Sequence, residues 1–191
     1  MRVLVACEES QTVCKAFRAK GHEAYSCDII GCSGGHPEWH IKDDVLKHLN
    51  DGWDLMIAHP PCTYLSNSGV RWLHERPERW DDLRGAINFF NRLIHARILH
   101  IAIENPIQHK YARWEIGKYD QIIQPHHFIG SNESKATCLW LKCLPKLQRT
   151  QWLDKSEIKQ TVFRMPPSET RGLERSRFPL SIAQAMATQW G

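Results

Sequence analysis

One cysteine in the sequence directly follows two prolines and precedes a loop rich in Ser, Asn and Gly. The segment reads DLMIAHPPCTYLSNSG over residues 54–69, so Cys62 stands immediately after Pro60 and Pro61. Two prolines restrict φ and lack amide donors, so they form a stiff exit from the preceding apolar run. A stiff exit fixes the direction of the Cys62 side chain. This placement favours a nucleophilic thiol over a buried structural cysteine.

Two further segments place polar side chains directly after short apolar runs. Cys7, Glu8 and Glu9 follow RVLVA, and Glu104 and Asn105 follow the apolar residues of ILHIAIE. In open parallel α/β sheets, ligands bind beyond the carboxyl ends of the strands. We therefore expect these two segments and the Cys62 segment to converge on one site.

The rest of the chain alternates between strand-like and helix-like patterns. The predicted strands are RVLVA, HEAYSCD, HI, WDLMIA, ILHIAIE and TCLWL. The predicted helices run from a Ser10 cap to about Lys20, over Val45–Leu49, over Trp80–Arg97 and over SIAQAMATQW. This alternation predicts an α/β fold, with a mostly parallel sheet covered by helices on both faces. No linker or repeat divides the chain, so we expect a single domain over residues 1–191.

The motifs and their order resemble those of the DNA cytosine-5 methyltransferases. That family has a Pro-Pro-Cys turn, then a helix beginning with Asp-x-Arg, then a strand ending in Glu-Asn-Val. Here the corresponding segments are 60–62, Asp82-Leu83-Arg84 and IAIENP, in which Pro106 replaces the valine. A weaker match over residues 130–137 places Lys135 where the family has the first arginine of a later motif. The resemblance covers residues 1–142 and implies a Rossmann-like class I methyltransferase fold.

The resemblance implies covalent catalysis on cytosine, with Cys62, Glu104 and Lys135 as the catalytic residues. Cys62 would attack C6 of the ring and Glu104 would contact N3, which makes C5 nucleophilic enough to accept a methyl group. We expect burial to raise the pKa of Glu104. We also expect Cys62 to lose its proton readily, with Arg71, Lys135 or His59 supplying a nearby positive charge.

The family binds S-adenosylmethionine at a glycine-rich turn after the first strand, whereas residues 6–10 here read ACEES. The absence of glycine opposes a close approach of the backbone to a cofactor. The resemblance nevertheless implies that Asp28 holds the ribose, that Asp44 contacts the adenine, and that Glu8 or Glu9 meets the donor's amino group. The implied cofactor-binding residues are Cys7, Glu8, Glu9, Asp28, Asp44 and Pro60. The implied substrate-binding residues are Pro61, Ser66, Asn105, Trp72 and Arg71, among which Trp72 could stack on or wedge beside an extruded base.

A short basic segment, residues 143–180, stands where the family inserts a long target-recognition region. The net charge of the chain is +4, but from Lys142 to Arg177 nine basic residues face four acidic ones. This segment also contains Trp152, Phe163 and Arg164, which are suited to gripping a backbone and stacking a base. DNA is therefore the expected partner. A protein partner for target recognition is an alternative, and the oligomeric state is not indicated.

Other features of the sequence exclude several classes of protein. No apolar run reaches the ~20 residues of a membrane helix, and the N-terminus lacks an export-signal pattern. The seven cysteines form no CxxC framework, so we expect reduced thiols and a cytoplasmic location. His36, His40, His126 and His127 lack the spacing of a zinc site, and no metal is expected. Two alternatives remain: thiolate chemistry on a free cytidine nucleotide, and an inactive nucleic-acid or partner-binding module on the same scaffold.

Overall fold

The computed structural model describes residues 1–161, 166 and 177–191, and it contains one twisted sheet. Seven strands of the described residues form the sheet in the order β3-β2-β1-β4-β5-β7-β6. β7 pairs antiparallel with both of its neighbours, and the other pairs are parallel. The strands are Arg2–Ala6 (β1), Glu23–Asp28 (β2), His40–Lys42 (β3), Leu55–Ala58 (β4), His100–Asn105 (β5), Gln121–Ile123 (β6) and Thr137–Lys142 (β7). The predicted mostly parallel α/β sheet is confirmed.

Helices cover both faces of the sheet. They are Thr12–Arg18 (α1), Trp72–Glu75 (α2), Arg79–Ile94 (α3), Lys110–Ile116 (α4) and Leu180–Gln189 (α5). Short 3-10 turns lie at Pro37–Trp39, Val45–Lys47, Asn67–Gly69 and Pro125–His127. No helix in the described part of the chain is long and apolar enough to cross a membrane.

Alternation along the strands divides the core into two layers. Successive side chains of a strand point to opposite faces, so Leu4 and Met56 pack in one layer while Val5 and Ile57 pack in the other. α3 and α4 cover the first layer, and α1 and α5 cover the second. Fully burying such aliphatic side chains contributes roughly 1.5–3 kcal/mol each, which fixes the register and therefore the positions of the strand ends.

The start of α1 differs from the predicted Ser10 cap. The helix begins at Thr12, and the Glu8 carboxylate accepts hydrogen bonds from the amides of Val13 at 2.6 Å and Cys14 at 3.2 Å. The Ser10 hydroxyl lies 3.1 Å from that of Thr12 instead. The longer Glu8 side chain reaches two of the orphan amides of the first turn, so it replaces the expected serine cap.

Other element boundaries differ from the predictions by a few residues. The long helix ends at Ile94 rather than Arg97, and the helix expected over Val45–Leu49 is a single 3-10 turn. Sequence patterns do not predict α2, α4 or β6, which are short elements of three to seven residues. Such elements owe their formation to tertiary packing rather than to local periodicity.

Candidate functional site

The three polar segments lie side by side at the carboxyl edge of the sheet. β1 pairs with β4 and β4 pairs with β5, so the residues after these strands are neighbours. The backbone amide of His59, the first residue after β4, donates to the carbonyl oxygen of Ala6 at 2.9 Å. The expected convergence of Cys7, Cys62 and Glu104 on one edge is therefore observed.

The Pro-Pro-Cys turn (residues 60–62) is fastened to the end of β5. The Asn105 side-chain amide donates to the carbonyl oxygen of Pro60 at 2.8 Å, and the amides of Leu65 and Ser66 donate to that of Cys62 at 3.1 and 2.9 Å. Asn105 is only 1% exposed. Asn105 thus tethers the turn to β5, and its contact with substrate stays a prediction.

Glu104 is held by two donors from different elements. His59 Nδ1 donates to Oε2 of Glu104 at 3.0 Å, and the Thr137 hydroxyl donates to Oε1. Burial pushes the Glu104 pKa upward, but the hydrogen bond and charge of His59, the Thr137 hydroxyl and the charge of Lys135 outweigh it, so the pKa is lowered. The expected raised pKa of Glu104 is therefore wrong, because the donors stabilise the carboxylate.

The Cys62 thiol is partly buried and holds its proton more firmly than a free cysteine. Burial raises the pKa of the Cys62 thiol, and the negative charge of Glu104 raises it further. Lys135 supplies the positive charge that opposes this rise, while His59 pairs with Glu104 and Arg71 stacks on Trp72. The expectation of a readily deprotonated Cys62 is wrong in the absence of substrate, because burial and, after it, the negative charge of Glu104 disfavour the thiolate.

A cavity of about 390 Å³ adjoins this site and contains several of the predicted cofactor-binding residues. Cys7, Asp28 and Asp44 line it, whereas Pro61 lines it in place of the predicted Pro60. The other lining residues are Cys27, Ile29, Asp43, Val45, Tyr64, Gly85, Ala86 and Phe89. Apolar walls with carboxylates at one end suit an adenosine group, whose purine is flat and apolar and whose hydroxyl and amino groups are donors. The cavity therefore fits the nucleoside part of S-adenosylmethionine.

Unlike Cys7, Asp28 and Asp44, Glu8 and Glu9 are not among the residues that line the cavity. Glu8 is 4% exposed, its two oxygens accept from amides of α1, and burial raises its pKa. Glu8 therefore caps α1, and its contact with the donor's amino group stays a prediction. Glu9 is half-buried, and its carbonyl oxygen accepts from the amide of Ser33. A cofactor contact from Glu9 stays a prediction.

The glycine-free first turn adopts conformations that glycine would favour. Cys7 and Gln11 have φ values of 58° and 57°, and left-handed conformations cost L-residues about 1 kcal/mol each. The Gln11 side chain exchanges two hydrogen bonds with the backbone of His36, which ties the turn to the loop after β2. Burial, with Asp28, Cys27 and Asp44, raises the Cys7 pKa to about 12, so its thiol presents a neutral surface to the cavity.

The predicted substrate-binding residues lie in the segment that follows Cys62. Pro61 is exposed, and the buried Ser66 places its hydroxyl 2.9 Å from that of Ser68. Trp72 begins α2, with the guanidinium groups of Arg71 and Arg76 lying 4.3 and 4.9 Å from its ring. The contact of Trp72 with a base stays a prediction, and the two arginines support the orientation of its ring.

The basic segment is described only in part. Residues 143–161 contain exposed basic side chains and an exposed Trp152, whereas Phe163 and Arg164 lie outside the described residues. All seven cysteines are free thiols. Within the described ranges, no group of three His, Cys, Asp or Glu side chains could hold a metal ion.

Sequence reasoning misses two residues of the site. The sequence identifies His59 only as a source of charge near Cys62, and Thr137 only as part of a strand. The signal for His59 is a histidine directly before two prolines, at the end of the strand that carries Cys62. The signal for Thr137 is its position at the start of β7, but its pairing opposite the end of β5 follows only from the topology.

The sequence matches no protein-family model and no curated protein. The structure is similar to the Entamoeba histolytica methyltransferase EhMeth, with 16% identity, a TM-score of 0.56, and coverage of 81% of this chain and 57% of that one. It is also similar to a protein described as a DNA modification methyltransferase encoded within an E. coli prophage, with 16% identity, a TM-score of 0.46, and coverage of 74% and 46%. The chain spans about half of the length of these two proteins. The likeness to the Entamoeba protein shows that the chain has the Rossmann-like α/β fold of methyltransferases.

Proposed function

We propose that the protein is an S-adenosylmethionine-dependent methyltransferase that acts on cytosine C5 in DNA. The observation that carries this proposal is the placement of Cys62 and Glu104 at the ends of adjacent parallel strands, with Asn105 tying one end to the other. A nucleophile and a carboxylate held at neighbouring strand ends can act on two positions of one flat ring. The methyltransferase fold supports the same reading.

Cys62 is the nucleophile in this proposal. Its thiolate adds to C6 of the cytosine, and the turn between Pro60 and Ser66 holds the sulfur in position. The thiol must first lose its proton, which the charge of Lys135 favours and that of Glu104 opposes. When N3 of the ring engages Glu104, the charge of that carboxylate is compensated. We therefore expect substrate binding itself to ease the ionisation of Cys62.

Glu104 orients the ring and stabilises positive charge at N3. The carboxylate has one oxygen toward His59 and the other toward Thr137, so its plane is fixed before a substrate arrives. A preorganised acceptor of this kind costs no reorganisation during the reaction. Lys135 lies close enough to influence both Glu104 and Cys62, and it accordingly retains the catalytic role proposed for it.

S-adenosylmethionine is the proposed cofactor, and the 390 Å³ cavity is its proposed site. Asp28 would accept from the ribose hydroxyls, Asp44 would accept from the adenine amino group, and Ile29 and Phe89 would contact the purine. When bound, the cofactor supplies the methyl group. The chain's own contribution is to hold the donor on the β2 side of the cavity and the reacting ring near Cys62.

DNA is the proposed substrate because exposed basic residues and Trp152 follow β7. A target cytosine in duplex DNA would have to be flipped out of the double helix to reach Cys62. A free cytidine nucleotide is the second candidate. It is favoured by residues 143–158, which form no strand or α-helix between β7 and the bridge of Lys159 with Glu133. Turnover of dCMP in the absence of DNA would favour that candidate.

Covalent trapping tests the proposal directly. With S-adenosylmethionine present, 5-fluorocytosine-containing DNA should form a stable adduct with the protein. Cys62→Ala should abolish the adduct, whereas Cys143→Ser, which changes an exposed cysteine outside the site, should retain it. If the Cys62→Ala variant formed the adduct as well as the wild-type protein does, Cys62 could not be the nucleophile.

A further inference from the structure

His59 connects the two halves of the candidate site. Its backbone amide donates to Ala6 at the end of β1, and its ring donates to Glu104 at the end of β5. The two prolines that follow stiffen its own backbone. The ring therefore has a fixed position between the first turn and the carboxylate that would contact the pyrimidine.

The surroundings of the His59 ring are largely dry. Its side chain is 12% exposed, and the ring of Phe178 packs against it with centroids 4.5 Å apart. Nε2 is buried and has no hydrogen-bond partner among the described residues. A buried ring nitrogen without a hydrogen-bond partner is uncommon in folded proteins.

Four ionisable side chains act on His59 directly or through its partner. Glu104 from β5 accepts its hydrogen bond, and Glu8 from the turn before α1 interacts with its charge. Lys135, before β7, and Cys62 interact with Glu104. His59 thus lies between two acidic side chains, Glu104 and Glu8.

The remaining partner of Glu104 cannot exchange a proton in the same way. The Thr137 hydroxyl has a single hydrogen, and it lies against both Glu104 Oε1 and the carbonyl oxygen of Asn105. A threonine hydroxyl does not ionise in the range where enzymes work, so its role is orientation. An ionised Glu104 has no proton of its own to give. Of the two side chains that donate to its carboxylate in the described part of the chain, His59 is the one whose ring can pass on a proton.

We propose that His59 is a positioning residue that shares with Glu104 the proton delivered to cytosine N3. In this step the Cys62 thiol releases its proton to solvent water, its sulfur bonds to C6, and the C5–C6 π pair forms the C4–C5 double bond. The former C4–N3 π pair takes a proton from Glu104, which is replenished by His59 Nδ1–H. The products are a neutral imidazole, a carboxylate and an enamine. This inference rests on the proposed function.

Exchange of the cytosine C5 hydrogen with solvent deuterium tests the proposal without a methyl donor. Addition at C6 and protonation of N3 make C5 basic enough to take a deuteron. Loss of the original C5 proton to solvent, with elimination of the thiolate from C6, then releases cytosine deuterated at C5. The probe is a cytosine-containing oligonucleotide in D2O, followed by mass spectrometry over a range of pH. His59→Asn is the informative variant, because the Asn amide lies near the Nδ1 position and can donate to Glu104 but cannot titrate.

We expect His59→Asn to reduce exchange at least 100-fold near neutral pH, in the range of general acid–base effects of 10²–10⁴. The high-pH limb of its pH–rate profile should move to lower pH, because the Asn amide cannot supply a proton to Glu104. Thr137→Val removes the donor that only orients Glu104. This variant should exchange C5 more slowly but keep the high-pH limb of the pH–rate profile at the same pH. Circular dichroism and thermal melting establish that each variant is folded.

The outcomes separate the inference from the function on which it rests. If the wild-type protein catalyses exchange and folded His59→Asn shows the same rate and the same high-pH limb of the pH–rate profile, the role of His59 alone is overturned. Absence of exchange by the wild-type protein, on both DNA and dCMP, overturns the proposed cytosine chemistry and the inference together.

Discussion

The side-chain amide of Asn105 donates to the carbonyl oxygen of Pro60 at 2.8 Å across 45 residues of sequence. This bond joins the end of β5, which carries Glu104, to the turn that carries Cys62. The separation of the two proposed catalytic groups therefore depends on a buried amide. Asn105 holds the turn against the end of β5, and its neighbour Glu104 is the proposed catalytic carboxylate.

Loss of this tether should loosen the Pro-Pro-Cys turn. Asn105→Ala leaves the Pro60 carbonyl without its donor, and we expect the free energy of unfolding to fall by about 1–3 kcal/mol. Amide hydrogen exchange at Leu65 and Ser66 should also become faster. Asn67→Ala, an exposed change in the same segment, is the matched control. Similar losses in both variants would contradict the tether.

The reactivity of Cys62 should respond to its two charged neighbours in opposite directions. Glu104→Gln removes the negative charge that raises the pKa of Cys62, so alkylation by iodoacetamide at neutral pH should become several-fold faster. Lys135→Gln removes the opposing positive charge and should slow it. Peptide mass spectrometry separates Cys62 from the exposed Cys143, whose rate should stay constant. A Cys62 rate insensitive to Glu104→Gln would contradict this electrostatic coupling.

The acidic end of the cavity should determine cofactor affinity. Asp28→Asn keeps an acceptor for the amide of Ile30 but removes the charge that faces the cavity. We expect S-adenosylmethionine to bind about tenfold more weakly, a loss of about 1.4 kcal/mol by calorimetry. Glu23→Gln changes an acidic residue at the opposite end of the same strand. If both variants lose affinity equally, the cavity is not the cofactor site.

Glu8 should contribute to stability through its cap of α1. Glu8→Ala leaves two helix amides without their acceptor and should lower the free energy of unfolding by about 1–2 kcal/mol near pH 5. Burial raises the pKa of Glu8, so the folded chain favours the protonated carboxyl. The advantage over Glu8→Ala is therefore complete below the unfolded pKa of about 4.3 and shrinks as pH rises through the folded pKa.

Urea titrations of the wild-type protein and Glu8→Ala at acidic and alkaline pH measure this difference. Glu9→Ala, at a half-buried neighbour, is the control and should change stability by less than about 0.5 kcal/mol. A stabilising advantage of Glu8 that grows as pH rises would contradict a raised pKa for this carboxyl.

The exposed basic residues after β7 should give DNA binding its salt dependence. Each lost phosphate contact lowers the slope of log K against log salt by about 0.9. Arg149→Ala with Lys155→Ala should therefore lower the slope by up to about 2. The matched pair Lys20→Ala with Lys118→Ala changes exposed lysines elsewhere and should leave it unchanged. Equal slopes for the two double variants would contradict a DNA contact by this segment.

The sequence by itself determined which residues stand at the strand ends. The apolar runs before Cys7, Cys62 and Glu104 are local patterns, and a parallel sheet brings such ends to one edge, so their convergence could be predicted. The alternation of strands and long helices was predictable for the same reason, because periodicity is set by residues that are close in sequence. The short elements α2, α4 and β6 lack enough turns or strand residues to leave a periodic signal.

Only the tertiary structure decided how these residues interact. The bonds of Glu104 to His59 and of Asn105 to Pro60 each span 45 residues, and the cap from Glu8 depends on the path of the turn before α1. The directions of the Glu104 and Cys62 pKa shifts follow from these contacts. Charge interactions depend on distance and burial, and neither quantity is contained in the order of residues along the chain.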